Sequence, residues 1–447
     1  MTESCGYMTG RRPIRSTLPG GLRGRSRATR TGVLSAGALV ACASLAVGCG
    51  VVPGATGGSG DDDPITVMTW APQDTGATNK PGMPALAQAY ARWVNSQGGL
   101  GGRKLNVLTC NDHNDSVAAA KCARRAVKEN AVAVVGSYSQ YADSFFPVLE
   151  GARIPYIGGY GLTNTEFTSP LSYPVNGGQP ALLAGLGSAL ADSCGPVTLV
   201  RPDTIAGDQL PVLLDSGLSS GGHERAHDQR AAEDATSYDD QSGRALAREG
   251  TGQGEEPGCV VPVLGDRTGT FMDSFRRASE DHPDVRTATV LGSVDQTTIN
   301  ASGGASGPYE GAYVTGWYPS VGAPAWDGLK KLIKEQAFGN NDVDAADAGV
   351  QTTWIAYTVL KEVVESLGDG EVSADTVRRA LDGGLEVGTG GLTPDLRWTF
   401  ADKLASVGFP RLVNADVTLQ VVREGRLVSA RQGAVDTTRT LQNADVA

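Results

Sequence analysis

The reading of the fold turns on residues 65–70, Ile-Thr-Val-Met-Thr-Trp, a short apolar run whose like returns at Leu105 to Cys110, Ala131 to Gly136 and Ile154 to Gly158. Between these runs apolar residues recur every three or four positions, as Leu86, Tyr90 and Val94 and then as Val117, Ala120 and Val127. The first pattern marks strands buried on both faces, and the second marks helices with one apolar face. Such strands joined by helices make a parallel sheet with right-handed crossovers, an α/β layer. The rhythm starts again at Val197 to Val200 and continues at Val260 to Leu264, Thr287 to Leu291 and Gly311 to Thr315, with Phe271, Met272 and Phe275 on a helix between strands. The expectation is an α/β protein of two lobes, each a mainly parallel sheet flanked by helices. Open α/β sheets bind ligands at the carboxyl ends of their strands, so a cleft between the lobes is the expected site.

One segment breaks the rhythm. Residues 219–257 are polar, with Asp228, Glu233, Asp234, Asp239, Asp240, Glu255 and Glu256 and no sustained apolar face. They read as a solvated, mobile insertion in the second lobe. The segment also contains His223-Glu224-Arg225-Ala226-His227, an H-E-x-x-H pattern that on a helix would present two imidazoles to Zn²⁺ with the Glu as general base. A zinc-protease helix is apolar around its ligands, whereas Ser219, Ser220, Gly221 and Gly222 precede these residues and Asp228, Gln229 and Arg230 follow. Glu249 or Glu255 as a third ligand lies on no apolar helix either. The zinc-protease reading is therefore the weakest of those considered. His113 and His282 sit in polar segments, and neither G-x-S-x-G nor G-x-x-x-x-G-K-[ST] occurs. The glycines of Gly98 to Gly102 follow a helix and precede a strand, the reverse of a phosphate-binding loop. No catalytic group, metal or cofactor is expected.

Composition narrows the class. The chain has 447 residues, 40% hydrophobic and 19% charged, which is globular rather than disordered, and its 38 Lys+Arg against 49 Asp+Glu give a net charge of −11. That balance argues against a nucleic-acid binder. The one long apolar stretch, Val33 to Val47, follows Arg11, Arg12, Arg15, Arg23, Arg25, Arg27 and Arg30, which is the pattern of an export signal. It ends in Leu45-Ala46-Val47-Gly48-Cys49, which resembles a bacterial lipobox with Cys49 as the lipidated residue; a plain secretory signal is the alternative. Residues 1–48 are then a signal peptide, 49–64 a Gly- and Asp-rich tether, and the protein sits lipid-anchored on the outer face of the cell membrane. Export leaves four cysteines for an oxidising compartment. Cys110 closes a strand and Cys122 lies on the next helix, while Cys194 and Cys259 each precede a strand, so the pairs expected are Cys110 with Cys122 and Cys194 with Cys259.

A family resemblance now becomes specific. AQAYARWVNSQGGLGGRK at 87–104, Leu108-Thr109-Cys110-Asn111-Asp112, Cys122-Ala123-Arg124, Val132 to Ser137 and Ile154 to Gly159 together resemble the type I periplasmic binding proteins, above all the branched-chain amino acid binding proteins of ABC importers. Gly349 to Leu367 and Asp375 to Leu381 continue the likeness. The resemblance implies a hinge-closing, two-lobed solute receptor without catalysis, a monomer that delivers its solute to an ABC permease. A ligand-sensing receptor of the same fold without transport is the alternative. It also implies lobe 1 at 65–178 and 320–395, and lobe 2 at 179–319 and 396–447.

Strand-end loops place the candidate contacts at Trp70, Gln73, Ser137, Tyr138, Ser139, Gln140, Tyr160, Gly161 and Thr163 in the first lobe, and at Asp203, Asp295, Trp317 and Tyr318 in the second. The resemblance assigns a carboxylate grip to Ser139 or Gln140 and to Thr163. Asp203, Asp295, Tyr160, Tyr318 and Trp317 are candidates for an ammonium.

Overall fold

The computed structural model describes residues 63–76, 78–249, 256–282, 284–406 and 408–444. The expected leader, Cys49 and most of the tether lie outside them. Among the described residues no helix is long and apolar enough to cross a membrane.

The first sheet contains β1 (Ile65–Trp70), β2 (Leu105–Cys110), β3 (Ala133–Val135), β4 (Tyr156–Ile157) and β5 (Ser172–Tyr173), in the order β2-β1-β3-β4-β5 and parallel throughout. Alternation along β1 feeds two cores. Ile65 and Val67 join the cluster that includes Leu86 and Tyr90 of helix Gly82–Ser96 and Ile355 and Val359 of helix Ala348–Leu367. Met68 and Trp70 join the opposite one, with Ala119 of helix Ser116–Lys128 and Phe145 of helix Ala142–Ala152. Thr69 is the polar exception: its hydroxyl donates to the Val135 carbonyl at 2.6 Å and lies 2.9 Å from the Tyr357 hydroxyl.

The second sheet contains β6 (Val197–Pro202), β7 (His227–Ala231), β8 (Cys259–Pro262), β9 (Arg286–Val290), β10 (Tyr313–Gly316), β11 (Asp416–Arg423) and β12 (Arg426–Ser429), in the order β7-β6-β8-β9-β10-β11-β12, with β13 (Val435–Asp436) paired on β11. Strands β6 to β10 are mutually parallel, and β11 runs antiparallel to β10. The order β7-β6-β8-β9-β10 repeats β2-β1-β3-β4-β5, so each sheet has a switch point beside its first strand.

The described residues within 219–257 carry structure that the sequence reading does not expect. They supply edge strand β7 and helix Asp239–Glu249, whose Ala245 and Leu246 are buried, and Tyr238 packs near Phe271. An edge strand keeps one side open, so His227, Asp228 and Arg230 remain exposed while Gln229 and Ala231 are buried. The buried Arg201 of β6 grips the Asp228 carboxylate with two bonds of 2.8 and 2.9 Å and reaches Asp208 at 2.8 Å.

His227 therefore lies on a strand. The His223 ring donates from Nε2 to the Cys194 and Gly195 carbonyls, and no metal-binding cluster occurs among the described residues. Both expected disulfides are present, Cys110–Cys122 and Cys194–Cys259, one in each lobe. The second follows from β6 and β8 being parallel neighbours, with Val197 opposite Cys259.

Candidate functional site

The two switch points face each other across a cavity with about 480 Å³ of empty space, counting its open mouth. Lobe 1 lines it with Thr78 after β1, Tyr138 and Gln140 after β3, and Leu162 after β4; lobe 2 brings Pro202 at the end of β6 and Thr204 beyond it, Glu233 after β7, and Val263 to Gly265 after β8. The lobes touch around it. Gln140 donates to Glu233 at 3.1 Å, the Asn79 amide donates to Asp266 at 2.9 Å, and Arg267 donates to the Gly76 carbonyl at 2.6 Å.

Beside the cavity an aromatic row crosses the cleft. Tyr138 meets Tyr160 edge-on at 4.9 Å, and Tyr160 meets Trp317 at 5.0 Å. The buried Tyr160 hydroxyl has no hydrogen-bond partner among the described residues, and burial pushes its pKa far up. The Lys80 ammonium lies 6.0 Å from the Tyr160 ring centre and pairs with Asp347 at 3.5 Å and Asp266 at 3.8 Å. Its side chain is 8% exposed. Burial alone would lower the Lys80 pKa, but Asp347, Tyr160, Asp266 and Asp295 together hold it well above the ordinary lysine value. Asp295 is raised by burial first and by Asp347 second, although the Thr298 amide and hydroxyl both donate to it.

The expected site residues divide by what they touch. Tyr138 and Gln140 line the cavity, and Tyr160, Trp317 and Asp295 stand near it. Others shape the loops. Gln73 exchanges backbone bonds with the Asn111 side chain, Ser137 accepts from the Trp70 amide, and Gly161 sits at φ +83°, where a Cβ would meet the Gly178 backbone at 2.7 Å. Tyr318 is a crossing residue: it accepts from Asn176 at 2.8 Å and lies 3.0 Å from the Thr352 hydroxyl. Asn414 in turn donates to the Val175 carbonyl, so three interlobe crossings are tied together.

Trp70 and Asp203 do not line this cavity. Trp70 is a core residue against Phe145 and Tyr156, because its place on β1 points to the far face of the sheet. Asp203 is exposed and pairs with Arg230.

Ser139 and Thr163 are committed inside the chain. The Ser139 hydroxyl accepts from the Tyr141 amide and lies beside the buried Asp112 carboxyl, whose pKa burial raises and Ser139 lowers. The Thr163 hydroxyl donates to Glu166 at 3.3 Å in a capping box, and the same carboxylate accepts from the Gly161, Leu162 and Thr163 amides. Thr163-x-x-Glu166 is a sequence signature of that box and could have shown it.

Lys80, Glu233 and Asp347 escaped sequence reasoning. A lysine in a polar loop reads as solvated, and only the fold brings residues 266 and 347 to it.

The family model for periplasmic binding protein matches residues 73–400. The chain belongs to the periplasmic binding protein family. Solved structures share the fold at low identity. A substrate-binding periplasmic protein from Ralstonia solanacearum is 16% identical, with TM-score 0.66, covering 82% of this chain and 99% of that one. A solute binding protein of an ABC transporter from Rhodopseudomonas palustris BisB5, in complex with 3,4-dihydroxybenzoic acid, is 14% identical, with TM-score 0.67 and coverages of 84% and 98%. A possible leucine/isoleucine/valine-binding protein from Rhodopirellula baltica SH 1 is 14% identical, with TM-score 0.66 and coverages of 83% and 97%. No curated protein matches the sequence.

Proposed function

We propose that this periplasmic binding protein is an exported receptor, lipid-anchored through Cys49, that captures a small polar solute between its lobes and presents it as a monomer to an ABC permease. The observation that carries this reading is the cavity at the paired switch points, lined from both lobes by loops leaving strand carboxyl ends. Tyr138 and Gln140 are the first-lobe contacts, with Tyr160, Trp317 and Asp295 behind them. The hydrogen-bonded crossings at Asn176, Tyr318 and Asn414 are suited to act as a hinge.

A thermal-shift panel of amino acids, amides, ureas, aromatic acids and nucleosides tests the reading on protein stripped by unfolding and refolding. A solute at a hundred times its Kd stabilises by about 2.7 kcal/mol. The expected result is one chemical class that shifts the melt, with the shift abolished by Tyr138→Ala plus Gln140→Ala in a variant that keeps its circular dichroism. A flat panel, or a shift indifferent to both substitutions, would remove solute capture in this cleft.

A further inference from the structure

The groups that would hold an acidic solute are already engaged by the chain itself. The three consecutive amides of Gly161, Leu162 and Thr163 and the Thr163 hydroxyl form a nest of donors, and its carboxylate is Glu166, which is buried. The Ser139 hydroxyl already accepts from the Tyr141 amide and sits beside the Asp112 carboxyl, whose pKa it lowers. The cation at the cleft, Lys80, is held between Asp347 and Asp266 with Asp295 close by. No Lys, Arg or His lines the cavity among the described residues, whereas Glu233 does. Glu233 takes part in no ion pair among those residues; it accepts instead from the neutral amide of Gln140. Apolar walls, Leu162, Leu210, Val263 and Leu264, surround it.

We propose that Glu233 sets the specificity of the cleft for a solute that bears a cationic nitrogen on a compact apolar body, and that the cleft rejects carboxylates. The proposal rests on the cleft being the solute site. A carboxylate placed beside Glu233 would meet like charge in a partly desolvated space, where repulsion is strengthened, and would find the amide nest filled. An amidinium or ammonium would instead gain a charge-assisted bond to Glu233 while its hydrocarbon part packs on the leucines and Val263. The same logic separates this chain from structures of its fold that hold benzoate or 4-hydroxybenzoate.

Calorimetric titration of the full protein with benzamidine, benzamide and benzoate, three probes of nearly one shape and three charges, reads the preference directly. The expected order is benzamidine over benzamide over benzoate, with benzamidine at least about tenfold tighter than benzoate, as a single charge-assisted hydrogen bond allows. Glu233→Gln keeps the side chain's shape and should bring benzamidine to within about threefold of benzamide, the scale of a neutral hydrogen bond. Benzoate binding as tightly as benzamidine, an order unchanged by Glu233→Gln, or no binding of any probe would overturn the proposal. A carboxylate hit in the thermal-shift panel that is lost with Tyr138→Ala plus Gln140→Ala would overturn it while leaving solute capture standing; a panel widened to amines and amidines that stays flat would remove both.

Discussion

The two lobes share a strand order and differ in what they bring to the cleft. Lobe 1 presents Thr78, the rings of Tyr138 and Tyr160, Gln140 and one ammonium, Lys80; lobe 2 presents Glu233, Asp266 and Asp295. Topology therefore fixes where the loops meet, and side-chain charge decides what they do there. Because the positive partner stands on one lobe and most of the acids on the other, contact between the lobes is also a contact between opposite charges. The lobes differ as well in how they are stapled. The lobe 1 disulfide joins residues 12 apart, and the lobe 2 disulfide joins residues 65 apart.

That last difference gives the largest expected effect. In the chain-entropy account a cross-link restricts the unfolded state more as its loop lengthens. Replacing Cys194 and Cys259 by Ala should cost about 4 kcal/mol, and replacing Cys110 and Cys122 by Ala about 3 kcal/mol. Denaturant unfolding of the two variants checks the order. Equal costs, or a larger cost in lobe 1, would show that packing around the sulfurs rather than loop length governs these staples.

Lys80→Met breaks a pairing with Asp347 within lobe 1 and one with Asp266 between the lobes. Removing one partner of a fully buried pair costs about 3–5 kcal/mol, but the Asp347 and Asp266 side chains keep 21% and 36% exposure, so water offsets part of the loss and about 2–3 kcal/mol is expected. Adding Asp347→Asn, which preserves the cap on the Val350 amide, should restore part of it. The folded pKa of Lys80 lies above its unfolded value, so the stabilisation is complete below the unfolded lysine value of about 10.4 and is lost only as pH rises through the higher folded one. The gap between wild type and Lys80→Met should therefore stay level from about pH 6 to 9 and narrow in stronger alkali. A gap that closes near neutrality would mean that another group carries the pairing.

The same contrast explains what was legible in the sequence. Strands β1 and β2 fall where their apolar runs placed them: β1 is buried on both faces, and β2, although half-buried at the sheet edge, keeps Leu105, Val107 and Leu108 as an apolar mark. Strand β7 occupies in lobe 2 the edge that β2 occupies in lobe 1, yet it reads His-Asp-Gln-Arg-Ala. Its pairing is carried by backbone bonds to β6 and by Asp228 on Arg201, neither of which leaves an apolar trace. The polar segment thus concealed both a strand and Glu233. At the site, loops after strands were legible and individual roles were not. Ser139 and Thr163 have the right chemistry for a solute, but the Tyr141 amide and the Glu166 carboxylate reach them first. Lys80 is defined by partners almost two hundred and more residues away, and nothing local announces it.

The smallest expected effect has the opposite sign. The raised pKa of Asp295 means that the fold favours its protonated form, so ionisation above the unfolded aspartate value of about 3.9 costs stability. Asn at this position can still accept from the Thr298 amide and hydroxyl, which preserves the cap of the helix beginning at Gln296. Asp295→Asn should raise the melting temperature at pH 7 by about 1–2 °C and give no gain once the medium is more acidic than about pH 3.9. Part of the cost of ionised Asp295 is offset by Lys80, and part is imposed by Asp347. In a Lys80→Met background that offset is gone while the repulsion from Asp347 stays, so the gain from Asp295→Asn should grow. A gain of the same size in both backgrounds would show that Lys80 and Asp295 do not sense each other, and that the acids of the cleft act as separate buried groups rather than as one counter-charge to the lysine.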